Sequence, residues 1–168
     1  MSTSLGPRQC VTRADLPRRS WDAAPREPVD ELWRANRYLE PGNVRFEPGL
    51  NEDLAATAIW GAQQANLFAG ARYDGVFALW YGKGPGVDRS CDALKHGNAA
   101  GAAPHGGVLV LAGDDPAARS SSLAHQSEHA LVHCGIPILS PANVQDYLDL
   151  GLYGFALSRF SGSWVGFK

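Results

Sequence analysis

The sequence predicts an α/β fold, a mostly parallel sheet with helices on both faces, and three observations carry that expectation. Short apolar runs at 44–47, 76–80, 108–112, 136–139 and 164–167 alternate with longer segments of helical pattern, the rhythm of β-α-β units. The runs V-F-A-L-W at 76–80 and V-L-V-L-A at 108–112 are apolar at every position, as strands covered on both faces are. Glycines at 106, 107 and 113 bracket the second of these as turns.

Taken in order, residues 1–28 hold Pro7, Pro17, Pro25 and Pro28 among arginines, acids, Ser and Thr without periodicity, and are expected to be a flexible tail. Asp15, Asp22 and Glu27 set this segment apart from organelle transit peptides, which are poor in acids. Domain structure is expected over 29–168. It opens with a short amphipathic helix carrying Leu32, Trp33, Tyr38 and Leu39, which Pro41-Gly42 stops. Helices follow near 52–67, 90–100, 121–133 and 143–160, each set between two of the apolar runs.

With 168 residues the chain suffices for one domain with a sizeable core but not for two ordinary ones. A formal net charge of -2 without any Lys/Arg stripe argues against nucleic acid as a partner. Cys10, Cys91 and Cys134 are far apart and form no C-x-x-C pair, which argues against a zinc ribbon, a redox dithiol or a cluster site and fits a reducing cytoplasm. No apolar run approaches the roughly 18 residues of a membrane span, so no membrane partner is expected.

In open parallel sheets ligands bind beyond the carboxyl ends of the strands. The connectors that leave those ends are E-P-G-L-N-E at 47–52, Y-G-K-G-P-G-V-D-R-S at 81–90 and G-D-D-P-A-A-R-S-S-S at 113–122, all denser in polar groups than the connectors on the opposite edge. Glu52 is the first candidate, since Asn51 has the chemistry of a helix N-cap and Glu52 would project from the first helical turn. An acid there also complements the helix dipole, by about 0.3 to 1 kcal/mol, with no further role needed. The Gly82–Ser90 stretch, with Gly84, Gly86, Lys83, Asp88 and Arg89, reads either as an ordinary surface loop or as a backbone nest for an anion. Asp114 and Ser121 read as turn and cap chemistry or as ligand contacts. His125, Glu128 and His129 match the H-x-x-E-H pattern of inverted zinc metalloproteases, although a third ligand is still required.

Read together, F-E-P-G-L-N-E-D-L-A-A-T-A-I-W-G-A-Q-Q at 46–64, Y-D-G-V-F-A-L-W-Y-G-K-G-P-G-V-D-R-S at 73–90 and G-G-V-L-V-L-A-G-D-D at 106–115 resemble the pyrimidine-binding domain of the thiamine-diphosphate-dependent indolepyruvate ferredoxin oxidoreductases. H-Q-S-E at 125–128 and P-A-N-V-Q-D-Y-L-D at 141–149 continue a likeness that covers about residues 32–168. The resemblance implies oxidative decarboxylation of an aryl 2-oxoacid such as indolepyruvate, with coenzyme A and ferredoxin as acceptors. It gives Glu52 the role of the carboxyl that hydrogen-bonds the aminopyrimidine ring and promotes its imino tautomer, the form that acts on the thiazolium proton. Glu52, Gly84, Gly86 and Asn98 become expected cofactor contacts. Lys83, Asp88, Arg89, Lys95, His96, Asp114, Ser121 and Gln126 border the substrate region, with Lys83 or Arg89 offsetting the substrate carboxylate.

Relatives carry a first strand and a G-Y-R-G-S-P-like loop with no counterpart in residues 1–31, so the module is expected to lack its opening strand. The diphosphate-binding half with its magnesium, and the iron-sulfur clusters, are expected in other parts of the family enzyme. The resemblance therefore implies a cytoplasmic, oligomeric chain that is inactive alone and completed by the remainder of the oxidoreductase or a homologous chain. A noncatalytic interaction protein derived from the module is the alternative, and a zinc hydrolase using His125, Glu128 and His129 a lesser one.

Overall fold

A computed structural model describes residues 8–14, 41, 43–119 and 121–168. Six strands form one sheet in the order β2-β1-β3-β4-β6-β5, and every pairing is parallel. They are β1 Arg8–Ala14, β2 Val44–Gly49, β3 Val76–Lys83, β4 Gly107–Gly113, β5 Ile138–Leu139 and β6 Val165–Phe167. The helices are α1 Glu52–Gln63, α2 Gly84–Ala100, α3 Glu128–His133 and α4 Val144–Ser161. The expected α/β architecture is present, and it is consistent with a pyrimidine-type thiamine-diphosphate module.

Alternation along the strands sorts the two faces. Ala78 and Trp80 of β3 and Val108, Val110 and Ala112 of β4 pack with Ala55, Ala56 and Ile59 of α1 and Val87 and Leu94 of α2 in the main core. On the opposite face α4 lies close to the sheet because Gly154 has no side chain, and a Cβ there would meet Leu109 at 2.7 Å. Phe155 of α4 meets Phe77 edge-on at 5.2 Å, and Tyr147 meets Phe167 at 5.3 Å.

Three polar latches tie the amino edge of the sheet. Buried Gln63 donates to the Val76 carbonyl at 2.9 Å and accepts from the Ala103 amide at 3.0 Å. Asn98 donates to the carbonyls of Cys134 and Gly135 at 3.1 and 3.0 Å and accepts from the Trp164 amide at 2.8 Å. Ser158 accepts from the Val108 amide at 2.9 Å and donates to the Ser163 carbonyl at 2.6 Å. Each supplies partners to backbone groups that would be costly to bury alone.

Four expectations are corrected. Residues 8–14 of the expected tail form β1, whose backbone pairs with β2 on one side and β3 on the other, so the sheet has an opening strand at an interior position. R-Q-C-V-T-R-A has few β-branched residues and no alternation, and only its two neighbours make it a strand. The Gly82–Ser90 loop is instead the end of β3 followed directly by α2, with Pro85 in the first turn where its missing amide costs nothing. The helix expected over 52–67 ends at Gln63 and continues as a 3-10 turn, Ala65–Leu67. The helix expected over 121–133 is only α3, because Asp115 and Asp114 hold the preceding chain in an irregular path: the Asp115 carbonyl accepts from Ala118 and His125, its carboxylate from Arg119, and Asp114 accepts from Ser127. The rest of the expected tail, 1–7 and 15–28, and the helix expected near 29–40 lie outside the described residues.

Candidate functional site

Since all strands run the same way, their carboxyl ends share one edge, where α1 and α2 begin. Asn51 caps α1 by accepting from the Leu54 amide at 2.9 Å, so Glu52 is the first helical residue. The Glu52 carbonyl accepts from the indole Nε1 of buried Trp80 at 2.9 Å, which anchors the backbone from which the carboxylate projects.

The first turn of α2 is the centre of this edge. A Cβ at Gly86 would lie 2.6 Å from Cγ of Glu52 and 3.3 Å from its Oε1. A Cβ at Gly84 would lie 2.4 Å from Cβ of His125. Gly84 and Gly86 are thus buried beneath the His125 and Glu52 side chains, with Pro85 exposed between them, and glycine is needed for contact rather than for an unusual dihedral. Glu52 is half-buried.

His125 is bracketed by acceptors, its Nε2 3.1 Å from the Asp88 carboxylate and its Nδ1 3.2 Å from the Leu123 carbonyl. Beside it Asp114, whose side chain is 6% exposed, accepts from the Ser127 hydroxyl at 2.5 Å and from the Ser127 amide at 2.9 Å. Lys168, just past β6, hydrogen-bonds Glu128 and lies 3.6 Å from Asp114. The Lys168 ammonium holds the Glu128 carboxyl below its ordinary range against the opposing effect of burial, and Glu128, with Asp114 behind it, raises Lys168. His125, Asp114 and Lys168 border a cleft of about 610 Å³ that Gly113, Gln126, Ser140 and Tyr147 also line.

The structure therefore gathers part of the expected set and disperses the rest. Glu52, Lys83, Gly84, Gly86, Asp88, Arg89, Asp114 and Gln126 all belong to the carboxyl edge, with Arg89 Nε 3.7 Å from Asp53. Ser121 follows in the chain after β4, its hydroxyl buried without a hydrogen-bond partner among the described residues. Lys95, His96 and Asn98 lie toward the far end of α2, roughly 16 Å or more along the axis from Gly84 at 1.5 Å per residue. There Lys95 contacts His133 at 3.5 Å, His96 stacks on Trp60 at 5.9 Å, and Asn98 is the latch described above. The single-helix geometry required for a zinc pair at His125 and His129 is not met, because α3 starts only at Glu128. Among the described residues no group of three or more His, Cys, Asp or Glu is placed to hold a metal ion. His125 as a partner of Gly84 and Asp88, and Lys168 as a cleft residue, were not read from the sequence in those roles. Their signal was position alone: His125 lies in the connector that follows β4, and Lys168 directly follows β6.

No protein-family model matches the chain. It is 25% identical over 136 residues, 80% of its own length, to the indolepyruvate oxidoreductase subunit IorA of Methanothermobacter marburgensis. This supports a distant relationship to the indolepyruvate oxidoreductase family. The matched region is 20% of that relative, so the chain spans about a fifth of its length. No helix among the described residues is long and apolar enough to cross a membrane.

Proposed function

We propose that the chain is the pyrimidine-binding module of a thiamine-diphosphate-dependent oxidoreductase acting on aryl 2-oxoacids, with Glu52 as the carboxyl that engages the aminopyrimidine. The observation that carries this reading is the half-buried Glu52 side chain at the carboxyl edge, laid against bare backbone at Gly86. The residues fit the cofactor's ring in that a half-buried carboxylate is presented from a backbone fixed by the Asn51 cap and the Trp80 indole. When bound, thiamine diphosphate supplies the acidic thiazolium carbon that attacks the oxoacid carbonyl.

Glu52 would hold a proton between its carboxyl and the ring nitrogen opposite the amino group, a role that requires a side chain able to share a proton at a set distance. Beside Lys168, this edge carries the cations Lys83 at the end of β3 and Arg89 in α2, and the substrate carboxylate is assigned to Lys83 or Arg89. The diphosphate end and its magnesium would be held by the diphosphate-binding domain of the enzyme, and coenzyme A and ferredoxin would serve as acceptors in the assembled enzyme.

Co-expression with a diphosphate-binding half from an indolepyruvate oxidoreductase, followed by assay of 2-oxoacid-dependent dye reduction, tests the reading. Wild type should support turnover that requires added thiamine diphosphate, and Glu52→Gln should lose on the order of 10²-fold or more. An assembled complex with equal rates for both would remove Glu52 from the reaction. Lys83→Met or Arg89→Met should raise KM for the oxoacid, and unchanged KM in both would withdraw that assignment.

A further inference from the structure

Helix α4 turns one face to the sheet through Gly154 and Ser158, and the opposite face carries an apolar row. Val144, Leu148, Leu152, Ala156 and Phe160 succeed one another at intervals of four, forming a single ridge along the helix. Their exposure is unusual for such residues: Leu152 is 75% and Phe160 91% accessible. Beside the ridge runs the row that contains Gly151, where an added Cβ would meet nothing within 4 Å. The surface thus has a raised apolar row and an adjacent groove lowered at its middle.

We infer that α4 is a homodimer interface, packed antiparallel against α4 of a second copy with Leu152 near the two-fold axis. Three features select a second copy as the occupant. The ridge-and-groove pair is self-complementary about its midpoint, since the ridge of one copy can enter the groove beside Gly151 of the other, as in the commonest class of helix packing. Charge follows the same symmetry. The amino-terminal half of α4 carries Asp146 and Asp149 and its last turn Arg159, so an antiparallel pair sets acidic ends beside basic ends, whereas a parallel pair would set like beside like. The area is also adequate. Tyr153 and Phe160 are large aromatics of roughly 150 to 250 Å² each. They are 54% and 91% exposed, and with Val144, Leu148 and Leu152 they bring the patch toward the about 800 Å² per partner that a standard interface buries.

The test is the association state of the full chain by sedimentation equilibrium, for wild type and for Leu152→Glu, Leu152→Lys and an equimolar mixture of the two. Residue 152 is solvent-exposed in the single copy, so either charge leaves the fold intact, which far-ultraviolet circular dichroism verifies. Wild type should be a dimer, and each charged variant alone should raise the dimer Kd about 100-fold or more. The mixture should recover at least tenfold in affinity, because at a two-fold axis residue 152 meets its own counterpart and Glu then faces Lys. A monomeric wild type overturns the inference, as does a dimer insensitive to both charges or a mixture that shows no recovery.

Discussion

Gly86 and Glu52 are fitted to one another: a Cβ built at residue 86 would stand 2.6 Å from Cγ of Glu52, so the carboxylate keeps its place only while residue 86 has no side chain. Gly86→Ala should therefore turn the Glu52 side chain away from residue 86. Glu52 is half-exposed and can rotate, so the fold should survive with a small loss of thermal stability. Affinity for thiamine diphosphate in an assembled complex should weaken about tenfold, equivalent to ~1.4 kcal/mol. Isothermal titration of the cofactor against both complexes measures this.

Gly75 provides the contrast. A Cβ there would fall 2.2 Å from the His105 carbonyl carbon and 2.5 Å from the Gly106 amide nitrogen, and backbone cannot rotate aside as a glutamate can. Gly75→Ala should cost more than about 3 kcal/mol of stability, as overpacking against rigid groups does. Urea unfolding of the two alanine variants should rank Gly75→Ala far below Gly86→Ala.

Asn98 separates a structural role from the cofactor contact that the resemblance implied. Its amide joins the end of α3 to the start of β6 through three hydrogen bonds. Asn98→Ala should strand the Trp164 amide and lower stability by about 2 to 3 kcal/mol, while cofactor affinity of the folded complex stays within twofold. A variant of normal stability and much weaker cofactor binding would reverse the assignment.

The Glu128–Lys168 pair sets a pH window. Glu128 is held below its ordinary 4.5, so the unfolded chain takes up that proton first as pH falls, and the pair's contribution, full above 4.5, is lost at lower pH. Lys168 is raised above 10.5, so the unfolded chain releases its proton first, and the contribution is lost as pH rises through the folded value. Wild type should be more stable than Glu128→Gln between these limits, and the difference should vanish at both ends of a thermal-denaturation series.

Cys134 should be chemically quiet. Burial, with the neighbouring Cys91 thiol, pushes its pKa up to about 11, which leaves almost no thiolate near neutrality. Iodoacetamide at pH 8 should modify this residue only after denaturation, as peptide mass mapping would show. The raised value also means that the unfolded chain ionises first above pH 9.0, so this group lowers stability as pH rises beyond that point.

The strands at 76–80 and 108–112 were legible because burial on both faces demands apolar residues at every position, a pattern visible in sequence. β1 was not, since its place depends on backbone pairing with β2 and β3 that leaves no mark on R-Q-C-V-T-R-A. Asn51 and Glu52 were readable because capping is local chemistry. The 84–86 turn was misread as a loop because its glycines answer to Glu52 and His125, residues distant in sequence. Lys95, His96 and Asn98 follow Gly84 on the same helix, and helical rise alone carries them away from the edge where Glu52 lies.

Exchange of the thiazolium C2 proton for deuterium, followed by NMR on thiamine diphosphate bound to the assembled complex, tests the role of Glu52 most directly because it reads proton removal before any substrate is present. Wild type should exchange on the order of 10²-fold or more faster than Glu52→Gln, with cofactor saturating in both. Equal exchange rates in the two complexes would contradict the account.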